Sequence, residues 1–302
     1  FLQSVGLLII RLDGSPTYAM LTSSLPAIIN IILDYVFLFV LHKGLEGVAI
    51  ATCIGLWTGG AMVLFYILFL SKSMKLYRLK WSLKSLMLFA RNIWYQFKLG
   101  FSAFLGECSI SVLMFIGNYV FMRYLGEDGV AAFSIACYIM PFIFMTGNAI
   151  SQSAQPIISY NYGAGRAARV KEARKVALAA AIGAGIILSM ALVFGSKYVT
   201  ALFLSADAQA YRIASAGIPL MASGFVFYVV NVTIIGYFQS IERVRPATVF
   251  SLARGFVFLI PAFLLMPHVA GIPGIWLALP VSEALTFLLI ALSRYWRKYR
   301  RR

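Results

Sequence analysis

The chain has 302 residues, 61% of them hydrophobic and only 12% charged, and its mean hydropathy is +0.86. A soluble domain carries about 25% charged residues, so these proportions exclude an ordinary water-soluble fold and identify a polytopic membrane protein. The net charge of +16 would suit a nucleic-acid binder by amount, but the placement of the charges removes that reading.

In chain order, Phe1 to Ile10 is too short to span a bilayer and reads as the end of a helix. Phe1 lies inside an apolar run with neither an initiating Met nor a signal peptide before it, so the N-terminus reads as cut and the chain as a fragment. Arg11-Leu-Asp-Gly-Ser-Pro16 predicts a turn, because Gly and Pro break the helix while Asp and Ser favour caps. Eight apolar spans follow, at about 17–41, 47–71, 99–122, 130–156, 176–195, 212–239, 247–266 and 273–293. The segments between them alternate in charge. One set (around Arg11, 72–98, 166–175, Arg243 with Arg245, and 294–302) holds 21 Lys and Arg; the other holds only Lys43, Arg123, Lys197 and Arg212. This alternation is the positive-inside pattern and places the basic set and the C-terminus in the cytoplasm. Anionic lipid headgroups and topology then account for the basic excess, and no nucleic-acid partner is expected.

The stretch 72–98 is basic, with Trp81, Trp94 and Tyr95 among the charges, and suits an amphipathic cytoplasmic segment. The expected organisation is therefore 1–71 as part of a first transmembrane bundle, 72–98 as a linker, and 99–302 as a second, six-helix bundle with a basic tail. A weak repeat supports it. Pro16 and Pro246 each follow a turn and lead through a span to a Gly-rich turn, Gly44-Leu-Glu-Gly47 and Gly271-Ile-Pro-Gly274. An even number of spans separates the two copies, as in parallel transporter repeats.

The chemistry-bearing residues are few. On a helical wheel Gly100, Ala103, Glu107, Ser111, Met114 and Asn118 share one face of the 99–122 span. A charge at that depth costs about 2.5–3.5 kcal/mol or more, so such residues face a bundle interior or a wet cavity. Glu107 is either a packed, neutralised carboxyl or an ion- and substrate-binding one. Arg254 and Glu283 lie near the middle of their spans, where a buried ion pair is the plain alternative to a working site; which carboxylate pairs with Arg254 is open. Asn148, Ser151, Gln152 and Gln155 line the 130–156 span, which Pro156 is expected to end, with Asn161-Tyr-Gly-Ala-Gly165 as the turn beyond it. Tyr138, Tyr160, Tyr162 and Tyr228 are interface aromatics or cation-binding rings. Asn30 and Asp34 share a helix face, and Asp34 is a helix-to-helix hydrogen-bonding group or a cation ligand. His42 and His268 read as interfacial. Cys53, Cys108 and Cys137 have no metal or disulfide spacing, and no nucleophile–base pair or nucleotide fold is evident, so no enzyme and no cofactor is expected.

Arg11-Leu-Asp-Gly-Ser-Pro16, Asn30-Ile-Ile-Leu-Asp34, Gly44-Leu-Glu-Gly-Val-Ala-Ile-Ala-Thr52 and, most specifically, Gln155-Pro-Ile-Ile-Ser-Tyr-Asn-Tyr-Gly163 together resemble the multidrug and toxic compound extrusion (MATE) transporters along essentially the whole chain. The resemblance implies an all-α fold of two pseudo-symmetric six-helix bundles, of which this chain would hold the end of the fourth span, the fifth and sixth, and the whole second bundle. It implies a plasma-membrane antiporter, expected to be a monomer, that exports small organic cations in exchange for H⁺ or Na⁺ and needs no cofactor beyond that ion. Glu107 matches the acidic cation-coupling position of the seventh span, with Ser111, Asn118 and Gln155 lining the cavity. Some branches couple through an acidic residue in the first span, which this sequence does not contain. Two alternatives remain: a lipid-linked saccharide flippase of the same superfamily, whose cavity should be rich in Arg, and a non-transporting membrane scaffold.

Overall fold

The computed structural model describes residues 2–71 and 82–299, with side chains as far as Ser293. All the regular structure among the described residues is helical. The chemistry requires this: an unpaired backbone amide in hydrocarbon costs several kcal/mol, so so apolar a chain closes its hydrogen bonds within its own helices. The chain divides into two compact units, 1–85 and 86–302.

The first unit contains α1 (Leu2–Leu12), α2 (Pro16–Tyr35) and α3 (Gly44–Phe65). Pro16 sits at the first helical position of α2, where its missing N–H costs nothing. Gly14 makes the left-handed step before it, with φ 82°. The Tyr66 hydroxyl bonds Asp13 Oδ2 and Ser15 Oγ, both at 2.8 Å, and ties this turn to the end of α3. Both α2 and α3 run into a wide π turn, Val36–Val40 and Tyr66–Leu70.

The second unit contains nearly all of α4 (Leu83–Gly163), then α5 (Ala167–Ala201), α6 (Gln209–Ala222), α7 (Phe225–Ser240), α8 (Val244–Leu252) and α9 (Leu259–Tyr299). A π turn, Ala253–Val257, joins α8 to α9, closed by the Phe258 N–H donating to the Ala253 carbonyl at 2.9 Å. α4 is two arms broken at Gly126, with φ 62° and ψ −152°, a backbone that side-chain-bearing residues resist. The arms lie side by side: Phe121 stacks on Phe133 at 4.5 Å, and the absence of a side chain at Gly117 admits the Phe133 ring. α9 is broken in the same way at Gly271, with φ 63° and ψ −143°. The predicted 212–239 span is a bent pair, α6 and α7 meeting at 47°. Gly224 makes the bend, packed so closely on Pro280 that no Cβ fits. With the arms of α4 and α9 taken separately and the bent pair as one, eight apolar spans are present among the described residues, as the hydropathy pattern predicts.

Three boundaries differ from expectation. α4 begins at Leu83 rather than Leu99, so residues 83–98 of the expected linker are helical and largely exposed; its 72–81 part, with Trp81, lies outside the described residues, as do the side chains of the basic tail from Arg294. Pro156 does not end its span, because a proline removes one N–H donor and a packed membrane helix absorbs that loss. Ser159, three residues on, donates to the Ser240 carbonyl of α7 at 3.0 Å and holds the helix in place. Asn161, Tyr162 and Gly163 are consequently helical, and the turn is Ala164–Arg166, with Gly165 at φ 70°.

α7 is buried on almost every side, and the core packs around it. Lipid tails are as apolar as leucine, so close backbone approach rather than water exclusion holds such helices together. Gly185 of α5 meets the Val226 backbone, and Gly236 of α7 meets Ser151 of α4, each with no room for a Cβ.

Candidate functional site

Polar groups at depth in the second unit gather where α7, α9 and the π turn meet. Arg254 Nε donates to Glu283 Oε1 at 2.8 Å. The pair is almost wholly enclosed, with Arg254 4% and Glu283 1% exposed. Asn231 Nδ2 donates to Glu283 Oε2 at 2.8 Å and to its backbone carbonyl at 2.9 Å. The Arg254 guanidinium lies over the Tyr228 ring at 4.0 Å and 5.9 Å from the Phe144 ring. Gly255, the next residue, lets Ser109 of α4 press against the π turn. The space left beside the pair is about 10 Å³, room for about one water. One positive and one negative charge are thus neutralised, hydrogen-bonded and walled in by aromatic faces, which is what a stable buried ion pair requires.

This answers which carboxylate pairs with Arg254, and it leaves Glu107 apart. Glu107 and Ser111 are exposed and Met114 and Asn118 half-buried. The opposite stripe of α4, Ser102, Leu105, Ser109, Leu113, Gly117 and Val120, faces the core. The small polar seam is therefore turned away from the interior of its own unit, so of the two expected settings, a bundle interior or a wet cavity, it does not have the first within this unit. Both stripes recur at helical spacing, and the buried one also carries Ser102 and Ser109, so the wheel alone could not tell which polar stripe packs. Among the described residues Glu107 makes no hydrogen bond and no ion pair. Asn148, Ser151 and Gln155 are half-buried and Gln152 exposed on the second arm of α4, and no hydrogen bond among the described residues joins Gln155 or Asn118 to Glu107.

In the first unit, Asn30 lies against Gly55 of α3, and Asp34 follows one turn later. Asn30 Nδ2 and Asp34 Oδ1 are both buried without a hydrogen-bond partner, an arrangement rare enough in folded proteins to need a cause. Of the four tyrosines, Tyr228 alone is at the ion pair; Tyr138 stacks on Phe203 at 5.6 Å, and it, Tyr160 and Tyr162 are exposed. His42 is exposed, and exposed His268 is 3.2 Å from the Tyr124 hydroxyl. Among the described residues no three His, Cys, Asp or Glu side chains gather around a common point. Sequence reading missed Asn231 altogether. A lone Asn inside Phe225–Ser240 is costly in hydrocarbon, and that cost was the available signal. It also missed the link from Gln239 Nε2 to Ser102 Oγ at 2.9 Å and from Ser251 Oγ to the Ser102 carbonyl at 3.0 Å, which joins α7 and α8 to α4.

The profile of the MatE family matches residues 103–264, more than half of the chain. The chain belongs to the MatE family. Among curated proteins this MatE chain is 25% identical over 280 residues to the multidrug export protein MepA of Staphylococcus haemolyticus, covering 92% of the chain and 60% of MepA. It is 26% identical over 285 residues to an FAD transporter of Shewanella oneidensis, covering 91% and 60% respectively. It therefore spans about 60% of the length of these relatives. Its fold matches an outward-facing multidrug resistance MATE family transporter of the MOP superfamily with a TM-score of 0.86 at 20% identity, over 98% of this chain and 65% of that one. A MOP superfamily transporter from Pyrococcus furiosus Vc1 matches with a TM-score of 0.85 at 21% identity, over 98% and 65%. The fold is thus the polytopic helical bundle of these transporters.

Proposed function

We propose that this MatE chain forms part of a multidrug exporter of the plasma membrane that moves small organic cations outward in exchange for H⁺ or Na⁺, and that Glu107 is the coupling carboxylate. The observation that carries the reading is the division of the second unit's intramembrane charges. Arg254 and Glu283 satisfy each other at 2.8 Å, while Glu107, on a face shared with Ser111 and Asn118, keeps its full capacity to bind a cation. A carboxylate held at depth without a counter-charge binds a proton, a metal cation or an organic cation strongly and in competition, which is what antiport needs. Asn118, Ser111 and Gln155 would contribute neutral hydrogen-bonding groups to the same cavity. Asp34, with an unpartnered oxygen one helical turn from the unpartnered amide nitrogen of Asn30, is the second candidate cation ligand. The basic turns and the C-terminus would lie in the cytoplasm, and the protein would work as a monomer without a cofactor. A saccharide–pyrophosphate flippase is the weaker reading, because it calls for free guanidinium groups at depth and Arg254 is already neutralised.

The test is ethidium efflux from liposomes holding the protein, with a pH gradient and a Na⁺ gradient imposed in turn. Wild type is expected to respond to one gradient, and Glu107→Gln to lose the response with an unchanged melting temperature. Gradient-driven efflux that survives Glu107→Gln would overturn the assignment.

A further inference from the structure

We propose that the groove between the second arm of α4 and the first half of α5 is a binding site for one phospholipid with an ethanolamine headgroup. The groove encloses about 760 Å³, within the range of small-molecule sites. Its floor is apolar: Ala149, Ile150 and Ala154 from α4, with Ala173, Ala177 and Ala180 from α5. From Ala149 to Asn161 a helix rises about 18 Å, slightly more than half the roughly 30 Å hydrocarbon core. That is the depth of a single acyl leaflet. The polar end lies at headgroup level, since exposed Tyr160 and Tyr162 flank Asn161 as an interfacial belt would, and the basic segment Arg166–Lys175 follows.

Three groups at that end are unused. Asn161 is only 6% exposed. Its Nδ2 donates to the Ile157 carbonyl at 2.8 Å, which fixes the amide's orientation, and its Oδ1 is buried without a partner. Arg169 and Glu172 line the same groove. They are three residues apart on α5, where such pairs commonly meet, yet among the described residues neither makes an ion pair with the other or with anything else. The groove thus presents one cation, one carboxylate and one acceptor in want of a donor. A phosphate diester with a primary ammonium matches all three: Arg169 takes the phosphate, and Glu172 and Asn161 Oδ1 take the ammonium N–H groups. Choline has a cationic nitrogen without N–H, and a glycerol headgroup has no cation for Glu172. The inference stands independently of transport.

The experiment is native mass spectrometry of the detergent-solubilised full chain after equilibration with an equimolar mixture of palmitoyl-oleoyl phosphatidylethanolamine, phosphatidylcholine and phosphatidylglycerol. The ethanolamine lipid is expected to be retained about ten-fold over the choline lipid, the size of one charge-assisted hydrogen bond. Asn161→Ala and Glu172→Gln should each bring that ratio towards one, and Arg169→Ala should lower retention of both lipids. Glu172 and Arg169 are exposed, so their variants keep the test informative should Asn161→Ala fail to fold. Equal retention of the ethanolamine and choline lipids, a preference for phosphatidylglycerol, an ethanolamine preference that survives Glu172→Gln, or displacement by equimolar soluble phosphoethanolamine would each overturn the proposal.

Discussion

Glu283 in the second unit and Asp34 in the first are both carboxylates placed within apolar helices, and the chain treats them in opposite ways. Glu283 has a cation on one oxygen and an amide on the other, from Arg254 and Asn231, and is sealed by the Tyr228 ring. Asp34 keeps a buried oxygen with no partner, one turn from an amide nitrogen in the same condition. The first arrangement gains nothing from a further ligand; the second leaves bonding capacity unused. The two carboxylates thus differ in whether their bonding capacity is used up, and the proposed cation-binding role of Asp34 rests on that difference.

Glu283→Ala should have the largest effect. It leaves Arg254 charged and enclosed, and breaking a buried pair in this way costs about 3–5 kcal/mol. The protein should show a large fall in melting temperature in detergent or fail to yield monodisperse material, whereas the double change Arg254→Met with Glu283→Leu should recover most of the loss. A single variant as stable as wild type would remove the contrast. Tyr228→Leu keeps the pair and takes away the ring under the guanidinium, a loss of about 1–2 kcal/mol, again read in thermal unfolding; no change would mean that the pair's enclosure contributes nothing. Asp34→Asn should have the smallest effect, within about 0.5 kcal/mol of wild type, because the oxygen it replaces has no bond to lose, while the ion dependence of ethidium efflux changes. A fall of several kcal/mol there would put Asp34 in the same class as Glu283.

Much of the fold was legible in the sequence. The long apolar runs and the alternating basic segments give the spans, and Gln155-Pro-Ile-Ile-Ser-Tyr-Asn-Tyr-Gly163 carries the family. A buried pair of Arg254 with Glu283 was among the sequence's alternatives, but the choice between Glu283 and Glu107 was not legible, because it depends on how far each helix is rotated about its axis, and the rotation of Arg254 is set by a π turn that no spacing rule signals. The orientation of the Glu107 seam was obscured for a related reason, since Ser102 and Ser109 give the buried stripe a polar character of its own. Asn231 was hidden by a helix apolar on every side, which leaves no face to mark as special. The continuation of α4 past Pro156 was missed because the rule for proline describes isolated helices, and neighbours such as Ser240 change its outcome.

The π turn at Ala253–Val257 also carries a message about chain length. Up to it, buried positions fall at Ala247, Phe250 and Ser251; within it Ala253, Arg254 and Gly255 are all buried; beyond it they resume at Leu259, Ala262 and Phe263. The Phe258 N–H reaches back five residues to the Ala253 carbonyl, where an unbroken α-helix reaches back four. The segment thus holds one residue more than α-helical counting allows, and that surplus is a phase correction of about 100°. It lets the guanidinium on one side and the apolar face on the other look into the same interior. The spacing of the helix is as much a part of the ion pair as the arginine itself.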